Sequence, residues 1–150
     1  MTFPVSKSSH DLENGTIFTP KFDEKGLIPC IVTDADTAEV VMYAFMNAES
    51  LRLSIKTREA HYWSRSRKEL WHKGATSGSI QTIIDMKTDC DQDVIWISVT
   101  TMNSGANCHT GQKSCFYRRI VESGSPDEQI KLEKTSTPAL FDPKAVYGDK

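Results

Sequence analysis

Gly26-Leu-Ile-Pro-Cys-Ile-Val-Thr-Asp34, followed after a few turn residues by Glu39-Val-Val-Met-Tyr-Ala44, decides the fold class. The first run starts at a Gly/Pro boundary and is rich in β-branched residues. Asp34 to Thr37 supplies turn chemistry, and the second run reads as the hairpin partner. Working outward, Asn47 stands where a helix N-cap belongs, with Glu49 in the first turn. Leu51, Ile55 and Ala48 then share one face of a short helix ending near Glu59. His61-Tyr-Trp-Ser64 reads as a short aromatic strand, and Arg65 to Gly78 as an irregular functional loop. Ile80–Met86, Val94–Val99 and Cys115–Val121 read as further strands, with a loop over Gly105–Gly111. The sum is an α+β, strand-dominated single domain with one or two short helices. Residues 1–21 form an N-terminal arm, 22–121 the core, and 122–150 a weakly patterned extension after the break at Glu122-Ser-Gly-Ser-Pro-Asp127.

Composition narrows the function classes. The 150 residues carry a net charge of −2 with 38% hydrophobic residues. A general nucleic-acid binder shows a basic excess, so nucleic acid is not the expected partner. No run approaches the ~20 apolar residues of a membrane span. The segment Met1–Gly15 lacks the apolar core of a secretory signal. The cytoplasm is the expected compartment, and there the four cysteines read as ligands or nucleophiles rather than disulfides.

Asp89-Cys90-Asp91-Gln92-Asp93 is the first chemical cluster. Read as extended chain, it points Asp89, Asp91 and Asp93 to one side and Cys90 to the other. Three crowded carboxylates raise one another's pKa unless a cation sits among them, and hard oxygen ligands suit Mg²⁺ or Ca²⁺. An EF-hand is excluded, because Val94 stands at its glycine position and Thr100 at its closing glutamate. A solvated acidic turn is the plain alternative.

Asn107-Cys-His-Thr-Gly-Gln-Lys-Ser-Cys-Phe-Tyr-Arg118 is the second cluster. A loop pivoting on Gly111 can bring Cys108 and Cys115 to one metal, and Cys90 would make a third thiolate. Three protein ligands and one open position is the pattern of catalytic zinc. With His109 as a fourth ligand the site would instead be closed and structural, so both readings stand. Cys30, alone in an apolar strand, reads as core filler.

Taken together, these segments resemble the phosphoribosyl-AMP cyclohydrolase family. The resemblance runs through Gly26–Pro29, Met42–Asn47, Tyr62-Trp-Ser-Arg-Ser-Arg67, Leu70-Trp71, Lys73-Gly74, Thr76-Ser-Gly78, Asp89–Asp93 and Cys108–Arg118, and covers about residues 22–120. It implies hydrolytic opening of the N1–C6 bond of 1-(5-phosphoribosyl)-AMP, the third step of L-histidine biosynthesis. It implies an intertwined homodimer with one zinc per subunit, Cys90 coming from one chain and Cys108 and Cys115 from the other. It also implies Mg²⁺ on Asp89, Asp91 and Asp93. With zinc activating water, His109 is the candidate general base. Trp63, Arg65, Arg67, Trp71, Lys73, Thr76 and Ser77 are candidates for holding the doubly phosphorylated substrate. Two positions depart from the family's habit. Ala75 stands where a glutamate is usual, and Cys30 where a small apolar residue is usual.

Three other classes can be weighed on sequence. A zinc deaminase needs an H-x-E and a P-C-x-x-C, and neither occurs. An RNA-binding module draws on Tyr62–Arg67 but conflicts with the acidic balance. A zinc-stabilised, non-catalytic nucleotide-binding module is the remaining alternative, and turnover separates it from an enzyme.

Overall fold

The computed structural model describes residues 2–122, 124, 129–135 and 138–148. Its elements are α1 (Ser9–Asn14), β1 (Ile28–Asp34), β2 (Val40–Met46), α2 (Ala48–Thr57), β3 (His61–Ser64), β4 (Glu69–His72), β5 (Gln81–Thr88), β6 (Ile95–Thr101), β7 (Arg118–Val121), β8 (Lys131–Lys134) and α3 (Pro143–Tyr147). The chain is α+β and strand-rich as expected, with three short helices rather than one or two.

The hairpin read from residues 26–44 forms as β1 and β2, antiparallel, with Cys30 opposite Ala44 and Ile31 opposite Tyr43. It is half of a four-stranded sheet in the order β2-β1-β6-β5. β6 lies parallel to β1 and antiparallel to β5. A parallel pair cannot be joined by a tight turn. The crossover from β1 to β6 therefore carries α2 and the β3–β4 hairpin, which cover one face of the sheet. That face buries Cys30, Val32, Val41, Ala44, Met46, Ile83, Ile95, Ile97 and Val99 with Leu51, Ala60 and Tyr62. Cys30 is fully buried, as core filler should be, and burial pushes its thiol pKa far up.

The other face stays open to solvent. Ile31 sits between Tyr43 on β2 and Trp96 on β6, and all three side chains are exposed. They form an apolar strip across three strands, which a lone sheet face in water does not favour.

α2 starts where Asn47 predicts. The Asn47 side chain accepts from Ser50 N–H, and Ser50 Oγ accepts from Asn47 N–H, a closed capping box. Its inner face differs from the expectation, because Leu51 is buried but Ile55 is 40% exposed. Ser50 and Ser54 take the inner positions instead. Ser54 Oγ accepts from His61 N–H at 2.9 Å and donates to Ser50 O at 2.8 Å. Two small hydroxyl side chains let the helix approach β3 closely, and the hydrogen bonds satisfy what an apolar face could not.

Other differences have local causes. Residues 65–78 are not wholly loop, since Glu69–His72 pairs with β3 and places Trp71 opposite Tyr62. The strand expected at Cys115–Val121 begins only at Arg118, because Cys115 N–H is committed to Val41 O. The N-terminal arm is anchored rather than loose. Phe3, Phe18 and Phe22 pack on the core, and the buried Gln92 accepts from Thr19 N–H and donates to Leu12 O. The extension contributes β8, paired with β7, and α3. The break read at 122–127 lies largely outside the described residues. Among the described residues no helix is long and apolar enough to cross a membrane.

Gln81, fully buried at the head of β5, links the sheet to what lies beyond it. Its Oε1 accepts from Tyr62 OH at 2.5 Å and its Nε2 donates to Asn107 Oδ1 at 2.7 Å. Gln81→Leu would strand the Tyr62 hydroxyl in the core. A buried polar group without a partner costs about 1–3 kcal/mol. Urea unfolding of this variant should show a loss of that size with an unchanged m-value.

Candidate metal and substrate site

The loop from Gly105 to Tyr117 carries the cysteine pair, and Asn107 fixes it. Asn107 is 2% exposed. Its Oδ1 accepts from Gln81 Nε2 and from Thr101 Oγ1 at 2.6 Å, and its Nδ2 donates to Lys113 O at 2.9 Å. Its carbonyl accepts from Lys73 Nζ at 2.6 Å. The far side of the loop is tied to β2 by Cys115 N–H to Val41 O and by Ser114 Oγ to Val40 O. Between these anchors the chain reverses at Gly111, whose φ of 88° favours glycine. A Cβ at Gly111 would also collide with the Phe141 carbonyl, and Leu140 N–H donates to Gly111 O at 2.6 Å. The C-terminal extension thus rests on this loop.

The anchors bring Cys108 and Cys115 together. Hydrogen bonding from Cys115 pulls the Cys108 thiol down to about 5 against the opposing effect of burial, and Thr110 and His109 assist. Thr110 Oγ1 donates to Cys108 Sγ at 3.0 Å. The same bond to Cys108, with burial, drives the Cys115 pKa far upward. One thiolate beside one thiol is a soft pair suited to zinc, whose binding would release the second proton. His109 is exposed beside them.

The aspartate cluster does not adopt the extended form expected of it. Residues 89–93 make a tight turn between β5 and β6, with Gln92 at φ 56°. Asp89 Oδ1 accepts from Asp93 N–H and Val94 N–H at 3.0 and 3.1 Å, and an aspartate that binds its own turn in this way outcompetes the strand. Alternation therefore does not govern these side chains. The turn still gathers the carboxylates, and oxygens of Asp89, Asp91 and Asp93 lie within 4.8 Å of one another. Burial opposes ionisation of Asp89, yet bonds from Asp91, Asp93 and the turn's N–H groups hold its pKa below the ordinary range. Asp93 is pushed up to about 6 by its bonds to Asp89 and Asp91. A hard divalent cation such as Mg²⁺ fits this donor set and relieves that repulsion.

Cys90, on the same turn, is exposed and stands apart from the other two thiols. The turn precedes Ile95 at one end of β6, while Asn107 is held by Thr101 at the other end. Six steps of about 3.4 Å separate these ends, roughly 20 Å. Among the described residues, no group of three metal-ligating side chains includes a cysteine.

The remaining candidates lie on the β3–β4 hairpin and the turn after it. The Trp71 ring packs on Tyr62 at 5.3 Å, with Arg67 and Lys73 over it at 5.9 and 5.3 Å. The Arg65 guanidinium lies over Phe45 at 4.1 Å, and Arg67 pairs with Glu69 at 3.4 Å. Trp63 is half-buried and Thr76 exposed. Ser77 O accepts from Asn103 Nδ2 at 3.0 Å. Lys73 differs from the other basic residues, being 4% exposed and turned inward to Asn107. Burial lowers its pKa, and the thiols of Cys115 and Cys108 push it back.

Sequence reading named no role for Gln81, Tyr62, Thr101, Thr110 or the Asn107 side chain. The available signal was a polar Gln81 heading an otherwise apolar strand, and an amide directly before the first cysteine of the pair.

The aspartate turn makes a pH prediction for metal-free protein. Asp93 has its folded pKa near 6, above the ordinary 3.8. Its contribution to stability is complete below pH 3.8 and disappears as pH rises through 6. Asp89, shifted downward, acts only below its ordinary 3.8. Asp93→Asn should therefore flatten the fall in melting temperature between pH 4 and pH 6, read by thermal unfolding with a chelator present.

Comparison with known proteins covers these same elements. The sequence profile of the phosphoribosyl-AMP cyclohydrolase family matches residues 42–117, from β2 to the end of the cysteine loop. A phosphoribosyl-AMP cyclohydrolase of Sinorhizobium fredii is 49% identical over 100% of this chain and 97% of its own length. That of Rhizobium rhizogenes is 50% identical over 95% of this chain and 93% of its own. That of Brucella canis is 53% identical over 81% of this chain and 88% of its own. With the two clusters, the β3–β4 hairpin that precedes them and nearly the whole chain inside this similarity, the protein belongs to the phosphoribosyl-AMP cyclohydrolase family, and it is a hydrolase.

Proposed function

We propose that this enzyme adds water to C6 of the adenine ring of 1-(5-phosphoribosyl)-AMP and breaks the N1–C6 bond, the third step of L-histidine biosynthesis. The observation that carries the reading is the Cys108–Cys115 pair, fixed by the bonds of Asn107 and of Cys115 N–H to Val41 O inside the segment that matches the family. Cys108, Cys115 and a Cys90 would hold zinc, and Asp89, Asp91 and Asp93 would hold Mg²⁺. Zinc, when bound, acidifies water and polarises the centre under attack.

The chain's own residues supply the rest. His109, exposed next to Cys108, accepts the proton of the attacking water, and a histidine is suited to this near neutral pH. The same imidazole can return that proton to N1 as the bond breaks. Arg65, Arg67, Thr76 and Ser77 receive the phosphates. Trp63 or Trp71 offers a ring face to the base. Asp89, Asp91 and Asp93 would hold a cation whose charge would offset that of a substrate phosphate.

We further propose a homodimer that shares each zinc site, with Cys90 from one chain and the pair from the other. Two observations support it. The ends of β6 separate Cys90 from the pair within one chain. The exposed strip of Ile31, Tyr43 and Trp96 is the kind of surface a subunit contact buries. The thiol ligands also suit a reducing cytoplasm.

An absorbance assay with phosphoribosyl-AMP, zinc and Mg²⁺ tests the reaction, and folded, metal-replete protein that leaves the ring closed would refute it. His109→Ala should keep zinc and lose about 10²–10⁴ in rate. Loss of zinc along with rate would make His109 a ligand instead. For the shared site, Cys90→Ser protein mixed with a Cys108→Ser, Cys115→Ser double variant should regain activity on subunit exchange, since one interface site per heterodimer is then intact. A mixture that stays inactive, with exchange confirmed by mass spectrometry, would place each zinc within one chain.

A further inference from the structure

Lys73 is the one basic residue of the candidate substrate loop that does not face solvent. Its side chain runs under Trp71, 5.3 Å from the ring centre, and its ammonium ends 2.6 Å from the Asn107 carbonyl. A buried ammonium is costly unless charge and hydrogen bonds around it compensate. Among the described residues no carboxylate forms an ion pair with it. The charges it interacts with are the thiols of Cys115 and Cys108, which act against the effect of burial on its own protonation.

We propose that Lys73 is a positioning residue for the cysteine loop and the counter-charge of its metal centre, and does not bind a substrate phosphate. This rests on the reading of Cys108 and Cys115 as zinc ligands. Three thiolates around a divalent zinc leave one net negative charge, and one buried ammonium neutralises it. The bond to Asn107 O acts on the residue directly before Cys108, so the same ammonium also fixes where that ligand sits. Asn107 is already held through its side chain by Gln81, Thr101 and Lys113. Lys73 adds the restraint on its backbone. Groups that orient a metal ligand from behind typically contribute about 10–100-fold to metal affinity.

The test is a chelator competition for zinc on full-length protein, alongside steady-state kinetics. Wild type must first bind zinc through its cysteines, and failure there refutes the zinc reading itself rather than the role of Lys73. Given that binding, Lys73→Met should weaken zinc by about 10–100-fold. Lys73→Gln keeps a donor for Asn107 without the charge and should fall between wild type and Met. Lys73→Arg, which restores the charge, should recover part of the loss. Thermal unfolding of the metal-free variants checks that each is folded, and Lys73→Gln alone decides the matter if Met does not fold. Zinc affinity equal to wild type in folded Lys73→Gln overturns the counter-charge. A raised KM with zinc affinity intact would return Lys73 to phosphate binding and overturn the proposal.

Discussion

The cysteine loop hangs on one side-chain amide. Asn107 stands between the sheet and the cysteine loop, and the hydrogen-bonding capacity of its amide is spent on holding the two together. A chain runs from the Tyr62 hydroxyl through Gln81 to Asn107, so the aromatic core under α2 and the cysteine loop share one polar spine. Buried polar chains of this kind are worth having only when every member is satisfied. Here each link has its partner, and the loop inherits the positional precision of the sheet.

Much of the fold could be read in the residues because local and global signals agree there. The β-branched run of β1, the turn residues between it and β2, and the Asn47 cap required no tertiary knowledge. The failures occur where tertiary packing overrules the pattern. Ser50 and Ser54 face inward because α2 must approach β3 closely, which no periodicity of apolar residues announces. Residues 89–93 form a turn because Asp89 binds its own backbone, so counting faces along an extended chain was the wrong geometry for carboxylates that the turn nonetheless brings together. That Cys108 and Cys115 could meet across a loop pivoting on Gly111 was legible from their spacing. The inward turn of Lys73 was not, since a lysine in a basic loop gives no sign of its destination.

The electrostatics of the two clusters are mirror images. The aspartate turn gathers negative charge, and the result is an Asp93 carboxyl whose pKa is pushed up to about 6. The thiol loop places a neighbouring thiol and a hydroxyl donor around Cys108, and the result is a thiol whose pKa is pulled down to about 5. The oxygen donors of the first arrangement are hard and the sulfur donors of the second are soft, so the two differ in the class of cation each would suit.

The contact between Gly111 and the C-terminal extension bears on how the protein can be built upon. Phe141 and Leu140 lie outside the span matched by the family profile, yet their backbone occupies the space that a side chain at position 111 would need. The turn of the cysteine loop and the course of the extension therefore cannot vary independently, and a side chain introduced at position 111 would require residues 140–141 to be re-routed.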